Sequence, residues 1–561
     1  MDDLVGLNNL VANTAYLKAQ HIDRSELRQQ RLSLTLPRPK SSALRAAADN
    51  QYESLCEQQP IGRKLFQQFL QSSNPQYVAA AEFLEELSDW TFAEDQTKEK
   101  AKWTILTKFC QPESRRFLSY LTGENAKICK ALSNKNFDGV MLDQIKVATR
   151  EFLKGKPFSE YLNSPFYYKF LQWKEYEKQK ISDQNFYEFR SLGKGGFGEV
   201  CAVQVKLTGQ MYACKKLDKK RLKKKSGEKL ALLEKQLLEK VNSHFIVNLA
   251  YAYASRTHLC LVMNLMNGGD LRFHIYEVGE RGIRMERVIY YVAQITTGIL
   301  QLHSMDIVYR DMKPENVLLD GRGQCRLSDL GLAVELPKGK MICQKGYSCI
   351  AGTTGYMAPE ILKQESYRMS VDWWSLGCSI YEMVAARLPF KDFREKVQNE
   401  EVTRRTLEDE CKFEHKRFDA ATKDIISLFL KRKVEHRLGG SDPRNHVFFK
   451  SINFHRLEAG LVDPPWVPKS NVVYTKDMDK FAETSEVQGI ELNDNDEKFY
   501  MEFGTGAVAI QWQKEMIDSG VFDELNDLGL NGYDLHSNLP QCSSSPPLSR
   551  GCTALVFTST G

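Results

Sequence analysis

Three short groups of residues carry the chemistry open to this sequence. Gly193, Gly195 and Gly198 form a G-x-G-x-x-G run inside Leu192-Gly193-Lys194-Gly195-Gly196-Phe197-Gly198-Glu199-Val200. Lys215 follows in Tyr212-Ala213-Cys214-Lys215, and farther on lie Asp311, Lys313 and Asn316, then Asp329-Leu330-Gly331. Glycine removes the side chains that would keep backbone N–H groups away from phosphate oxygens. Carboxylate and amide oxygens suit a hard divalent cation, and a lysine brings a compact positive charge to phosphate. These types together describe in-line phosphoryl transfer, which asks for positioning and charge neutralisation more than for covalent catalysis.

The spacing of the glycines also suits dinucleotide folds, but there the run must lead into a helix. Here it lies between two strand-like runs, 189–192 and 200–205, so the glycines form a hairpin over phosphates. Lys215 falls on the next strand, 211–217, and the helix-patterned stretch 230–241 offers Glu234 as its ion-pair partner, with Glu239 as the second candidate. Each charge taken alone would be an ordinary solvated face. Their order along the chain makes the difference. Tyr309-Arg310-Asp311-Met312-Lys313-Pro314-Glu315-Asn316 matches H-R-D-x-x-x-x-N in all but its first residue, and Ala358-Pro359-Glu360 closes the segment.

This set resembles the protein kinases, with the machinery between Leu192 and Glu360. The resemblance implies that Lys215 grips the α- and β-phosphates of ATP and that Asp311 orients the substrate hydroxyl and accepts its proton. Lys313 would steady the γ-phosphate, and Asn316 and Asp329 would bind Mg²⁺. It implies a hinge at Asn264-Leu265-Met266 whose backbone meets adenine, walls from Val200, Ala213 and Met263, and Asp270 near the ribose. Tyr309 stands where histidine is usual and Leu330 where phenylalanine is usual. Both can fill apolar space, and every charged group is present, so an active kinase is expected.

The elements that position these groups need more than one core, since 561 residues exceed what a single domain buries. Residues 1–50 hold a helix with an apolar stripe (Leu4, Leu7, Leu10, Val11, Leu17) and a linker broken at Pro37 and Pro39. Residues 51–175 are helix-patterned, with clusters such as Leu65-Phe66-Phe69-Leu70 and Phe166-Phe170-Leu171-Trp173. Residues 186–449 hold the catalytic groups, 450–515 an extension, and 516–561 a flexible tail that is rich in Ser, Pro and Gly from Ser537 on. A net charge of +5 argues against a nucleic-acid binder held by its whole surface. The 13 cysteines lack C-x-x-C or metal-ligand spacing and suit reduced thiols. Met1-Asp2-Asp3 lacks a signal-peptide n-region, and no apolar stretch reaches bilayer length. A cytoplasmic chain with peripheral membrane contact is expected.

Phe448-Phe449, Pro464-Pro465-Trp466 and Tyr474-Thr475-Lys476-Asp477 resemble the C-terminal extension of the AGC kinases. Within that group Tyr-Arg-Asp with Asp-Leu-Gly is similar to the G-protein-coupled receptor kinases. Leu10-Val11-Ala12-Asn13-Thr14 resembles their receptor-docking helix, and Leu55-Cys56-Glu57-Gln58-Gln59-Pro60-Ile61-Gly62 the start of their RGS-homology domain. Phe503-Gly504-Thr505-Gly506 with Trp512-Gln513 resembles the return to that domain, and 200–225 is similar to the visual subfamily. The resemblance implies an α+β architecture: a bilobal AGC kinase fold inserted into an all-helical RGS-homology domain.

The same resemblance implies activated opsin as substrate, phosphorylated on cytoplasmic Ser/Thr to end signalling, and a place in the photoreceptor outer segment. Further partners it suggests are a Gα subunit, a calcium-sensor regulator and an anionic membrane surface, the last met by the basic run Lys219–Lys225. Soluble substrates, or a Gα-binding scaffold, are the competing readings. Ser348 and Cys349 stand where many AGC kinases carry a phosphorylated threonine, so the docking helix at Leu7, Leu10 and Val11 is expected to close the lobes instead. Ser33, after Arg31, and Ser485 are candidate phosphosites. Thr558-Ser559-Thr560-Gly561 is no C-a-a-X box, so prenylation is not expected.

Overall fold

The computed structural model describes residues 31, 34–38, 50–133, 139–195, 198–342, 350–391, 395–469, 472, 474 and 489–527. Leu7, Leu10, Val11, Ser33, Ser348, Cys349 and Ser485 lie outside them, as do Gly196 and Phe197.

Helices fill the first part. Proline at the first position starts the helix Pro60–Gln71, where its missing N–H costs nothing, and the Asn74 side chain caps Pro75–Phe92 by accepting from the Gln76 N–H. Ile61, Leu65, Phe66, Phe69 and Leu70 recur at helical spacing and are buried against Phe158, Tyr161, Tyr167, Phe170 and Trp173. A second apolar cluster, around Phe83, Phe109, Leu118 and Ile145, holds the outer half of this bundle.

The small lobe is an antiparallel sheet of five strands: β1 (Phe186–Gly195), β2 (Gly198–Val205), β3 (Met211–Asp218), β4 (Leu249–Ala254) and β5 (His258–Asn264). Their order is β1-β2-β3-β5-β4, and the short strand Gly506–Ala507 adds to the β4 edge. Gly198 permits the closest approach: a Cβ there would lie 1.8 Å from the Lys216 carbonyl oxygen. Alternation then divides the sheet. Tyr212, Cys214, Tyr251, Tyr253 and Val262 join the buried cluster of the helical domain, whereas Leu217, Leu261 and Leu249 join that of the large lobe.

The large lobe is built on the buried helices Met285–Ser304 and Ser370–Ala385. From it the chain returns across the hinge. A Cβ on Gly269, whose φ is +80°, would sit 2.2 Å from the Tyr474 carbonyl oxygen, and Tyr474 stacks on His274 at 5.5 Å. The helices Ala509–Asp518 and Val521–Asp527 then pack Trp512, Met516 and Phe522 into the first helical bundle. The boundary expected at residue 515 therefore falls inside a helix. Regular structure continues to Asp527, because its apolar face is buried beside Trp173.

The sequence-adjacent lysines do not form a free basic face. Lys219 is buried, lies 4.3 Å over the Tyr500 ring and pairs with Glu497 at 3.6 Å. Lys223 pairs with Asp496 at 2.7 Å. The helix Asp494–Phe503 thus neutralises part of the run expected to face lipid, leaving Lys224 and Lys225 exposed. Among the described residues no helix is long and apolar enough to cross a membrane. The described cysteines are free, and all but Cys411 are buried.

Candidate active site

The cleft face of the sheet follows from register. Val200 is paired with Lys215, and Ala213 with Met263; residues directly opposite share a face, as do positions two apart on one strand. Val200, Ala213, Lys215 and Met263 therefore look into the cleft together. Leu192 is half-buried at the same sheet's rim, packed with Ala202 and Met211. Glu199 lies 3.9 Å from Lys216, and Lys194 and Gly195 end β1.

The Lys215 ammonium lies 2.7 Å from Glu234 and 3.6 Å from Asp329. Burial would favour the neutral amine, but the Glu234 and Asp329 carboxylates outweigh it and hold the lysine pKa above its ordinary value. Glu239, the second candidate, pairs with Lys235 at 2.9 Å and accepts a hydrogen bond from Thr505. Five residues span about 140° of a helix beyond one full turn, so the two glutamates face different neighbours.

On the other side of the cleft, one Asp311 oxygen accepts from Lys313 Nζ at 2.7 Å and from Asn316 Nδ2 at 2.8 Å. The second accepts from the Thr353 hydroxyl at 2.7 Å, and Thr353 Oγ1 in turn accepts from Lys313 at 2.8 Å. Because the Asn316 amide nitrogen is committed to Asp311, its amide oxygen is the atom left for a cation. The Asp329 side chain is half exposed toward the same cleft. A carboxylate and an amide oxygen fit a hard divalent ion.

Two non-glycine residues here take left-handed backbone, Arg310 (φ 68°) and Asp329 (φ 54°). Buried Asp372 holds the first, accepting from the backbone N–H of Tyr309 at 3.0 Å and of Arg310 at 2.8 Å. Tyr309 does more than fill space: its hydroxyl donates to the Ser328 carbonyl, immediately before Asp329. Leu330 is buried in the large-lobe core. Glu360 makes a two-pronged, fully buried pair with Arg437, at 2.6 and 3.0 Å. Arg310 donates to the Leu332 carbonyl at 2.6 Å.

The Asn264 N–H is bonded to the Asn248 carbonyl, and its side chain to the Asn248 N–H and Arg326, so that N–H is not available to a base. One Asp270 oxygen caps the helix Leu271–Tyr276 through the Phe273 N–H. Met266, half-buried, follows. Thr353, Asp372 and Arg437 were not singled out from the sequence. Thr353 had a signal in standing directly after Gly352; Asp372 and Arg437 are placed by packing across 62 and 77 residues and had none.

Comparison with known proteins agrees with this geometry. Residues 186–449 match the protein kinase domain, and residues 51–170 the regulator of G protein signaling domain. The chain is 65% identical over 529 residues to the Danio rerio protein named rhodopsin kinase grk7-b, covering 94% of this chain and 96% of that one. It is 56% identical over 535 residues to rhodopsin kinase GRK7 of Ictidomys tridecemlineatus and 55% over 538 residues to rhodopsin kinase GRK7 of Homo sapiens, with the same shares covered. An intact Lys215–Glu234–Asp329 and Asp311–Lys313–Asn316 geometry, an RGS domain before it and similarity at this level along nearly the whole chain lead to one assignment: this is a protein serine/threonine kinase belonging to the G-protein-coupled receptor kinases, in their rhodopsin-kinase branch.

Proposed function

We propose that this kinase transfers the γ-phosphate of ATP to cytoplasmic serine or threonine residues of light-activated opsin, ending the receptor's signalling. The observation that carries the reading is the closed charge chain across the cleft, from Glu234 through Lys215 to Asp329. It brings the lysine for phosphate and the carboxylate for metal together. The choice of receptor is supported by the rhodopsin-kinase names of its relatives.

In this reading Lys215 and the Gly193–Gly198 hairpin hold the phosphates, while Val200, Ala213, Met263 and the Met266 backbone hold adenine. Asn316 and Asp329 would hold Mg²⁺, which when bound neutralises charge on the phosphates. Asp311 accepts the proton of the attacking hydroxyl, Lys313 steadies the transferred group, and Thr353 keeps the Asp311 carboxylate aimed. The helix around Leu7, Leu10 and Val11 would dock on the activated receptor.

The test is phosphate transfer from γ-labelled ATP to purified cone opsin in light and in darkness. Strong labelling in light alone is expected. Equal labelling in both would remove the activated-receptor reading while leaving the kinase assignment intact.

A further inference from the structure

Beside the catalytic loop stands a carboxylate that the transfer reaction does not use. Glu315 sits between Pro314 and Asn316, and its Oε1 is 2.9 Å from Nε of Arg272. Its Oε2 is buried without a hydrogen-bond partner among the described residues. The Arg272 guanidinium also lies 5.0 Å over the Tyr276 ring. The Tyr276 hydroxyl donates to Glu382 at 2.7 Å, and Glu382 accepts a second bond from Tyr356, three residues after Thr353. Arg272, Glu315, Tyr276, Glu382 and Tyr356 thus form one continuous wall from the catalytic loop to the segment following Thr353.

A peptide that offers its hydroxyl to Asp311 comes beside this wall, because Asn316 and Thr353, which both bond Asp311, adjoin its two ends, next to Glu315 and three residues before Tyr356. Two carboxylates close to a bound peptide would attract basic side chains. Neither is open to do so. Glu382 is buried under two phenolic hydroxyls, and burial raises its pKa to about 7. Glu315 is capped by Arg272, and both side chains are only partly exposed, so their mutual charge is incompletely screened.

We propose that Arg272 is a specificity residue of the peptide site: by capping Glu315 it denies basic substrate side chains their counter-charge and repels them near the phosphoacceptor. The inference rests on the placement of the phosphoacceptor at Asp311. It concerns which peptides are taken, not whether phosphate is transferred.

The test uses the full chain and a peptide set with one serine, in which a single arginine or glutamate is moved through each of the four preceding positions against an alanine background. The readout is the ratio of kcat/KM for each arginine peptide to that for its alanine parent, which cancels any general loss of active enzyme. In Arg272→Ala at least one arginine position is expected to gain about five- to tenfold, the equivalent of ~1 kcal/mol for a partly exposed pair. Glu315→Gln, which removes the charge facing the arginine, should shift the ratio the opposite way. The double variant should lie near the parent, and Arg272→Lys should keep the parent's discrimination. Ratios unchanged in Arg272→Ala, or raised equally with and without Glu315, overturn the proposal. If the unmodified chain phosphorylates none of the peptides while labelling opsin in light, the site does not read local charge and the proposal also falls. If it labels neither, the placement at Asp311 fails with it.

Discussion

On strand β3, Ala213 and Lys215 face the cleft, while Tyr212 and Cys214 face the helical domain. On the cleft side, charges meet charges. Lys215 has two carboxylates, Asp311 has Lys313, and Lys215, Lys313 and Asp329 stay partly open to solvent. On the other side, Trp512, Met516 and Phe522 from the returning helices press onto Trp173, Tyr212 and Tyr251. Among the described residues the carboxylate there, Glu515, is met by hydroxyls: Thr208, and Tyr212 and Tyr251 at 2.7 and 2.8 Å. Burial raises its pKa to about 6. One sheet thus carries function on one face and assembly on the other. The difference shows that perturbed ionisation by itself does not mark the reactive side.

The contrast is broken most severely at Asp311. If Asp311 is the general base proposed above, Asp311→Asn should lower kcat by ~10²–10⁴-fold and should leave the melting temperature where it was. A variant that keeps its turnover would remove Asp311 from the reaction. Trp512→Ala should do the reverse. Deleting a buried indole that packs 6.0 Å from Trp173 is expected to cost ~3–5 kcal/mol, read as a large fall in thermal midpoint. Turnover measured well below that midpoint should persist; loss of turnover without loss of stability would mean that the seam reaches the cleft.

Glu515 sharpens the comparison through pH. Its pKa in the fold, about 6, exceeds the ordinary 4.5, so between these values the folded chain holds a proton that the unfolded chain has released. Its contribution to stability is full below pH 4.5 and is lost as pH rises through 6. Glu515→Gln removes this dependence. The stability of the variant relative to the parent should rise across that window by on the order of 2 kcal/mol and stay level above it. A difference that does not change with pH would show Glu515 to be ordinary. The smallest effect is expected from Tyr309→Phe, which deletes one hydroxyl donor to Ser328 and should cost about 1 kcal/mol in stability with a modest drop in kcat. No change in either would return Tyr309 to a space-filling role.

The chemistry was readable because its residues come in short local spacings. Asp311 and Asn316 lie five positions apart and bond each other, and the glycines of β1 and β2 announce a hairpin through the strands around them. The helical domain was readable for a similar reason, its apolar residues recurring at helical spacing along Pro60–Gln71.

What the sequence alone determined is the reaction and the sheet that bears it: residue types at fixed spacing, which backbone geometry converts directly into shared faces and mutual contacts. What only the tertiary structure decided is the choice among equivalent partners. Lys215 takes Glu234 and not Glu239, Asp372 holds Arg310, Glu515 meets hydroxyls, and Lys223 spends its charge on Asp496. Chain segments hundreds of residues apart meet through buried apolar surface, which does not name its partner in advance. The polar groups they carry are then paired by where that packing leaves them.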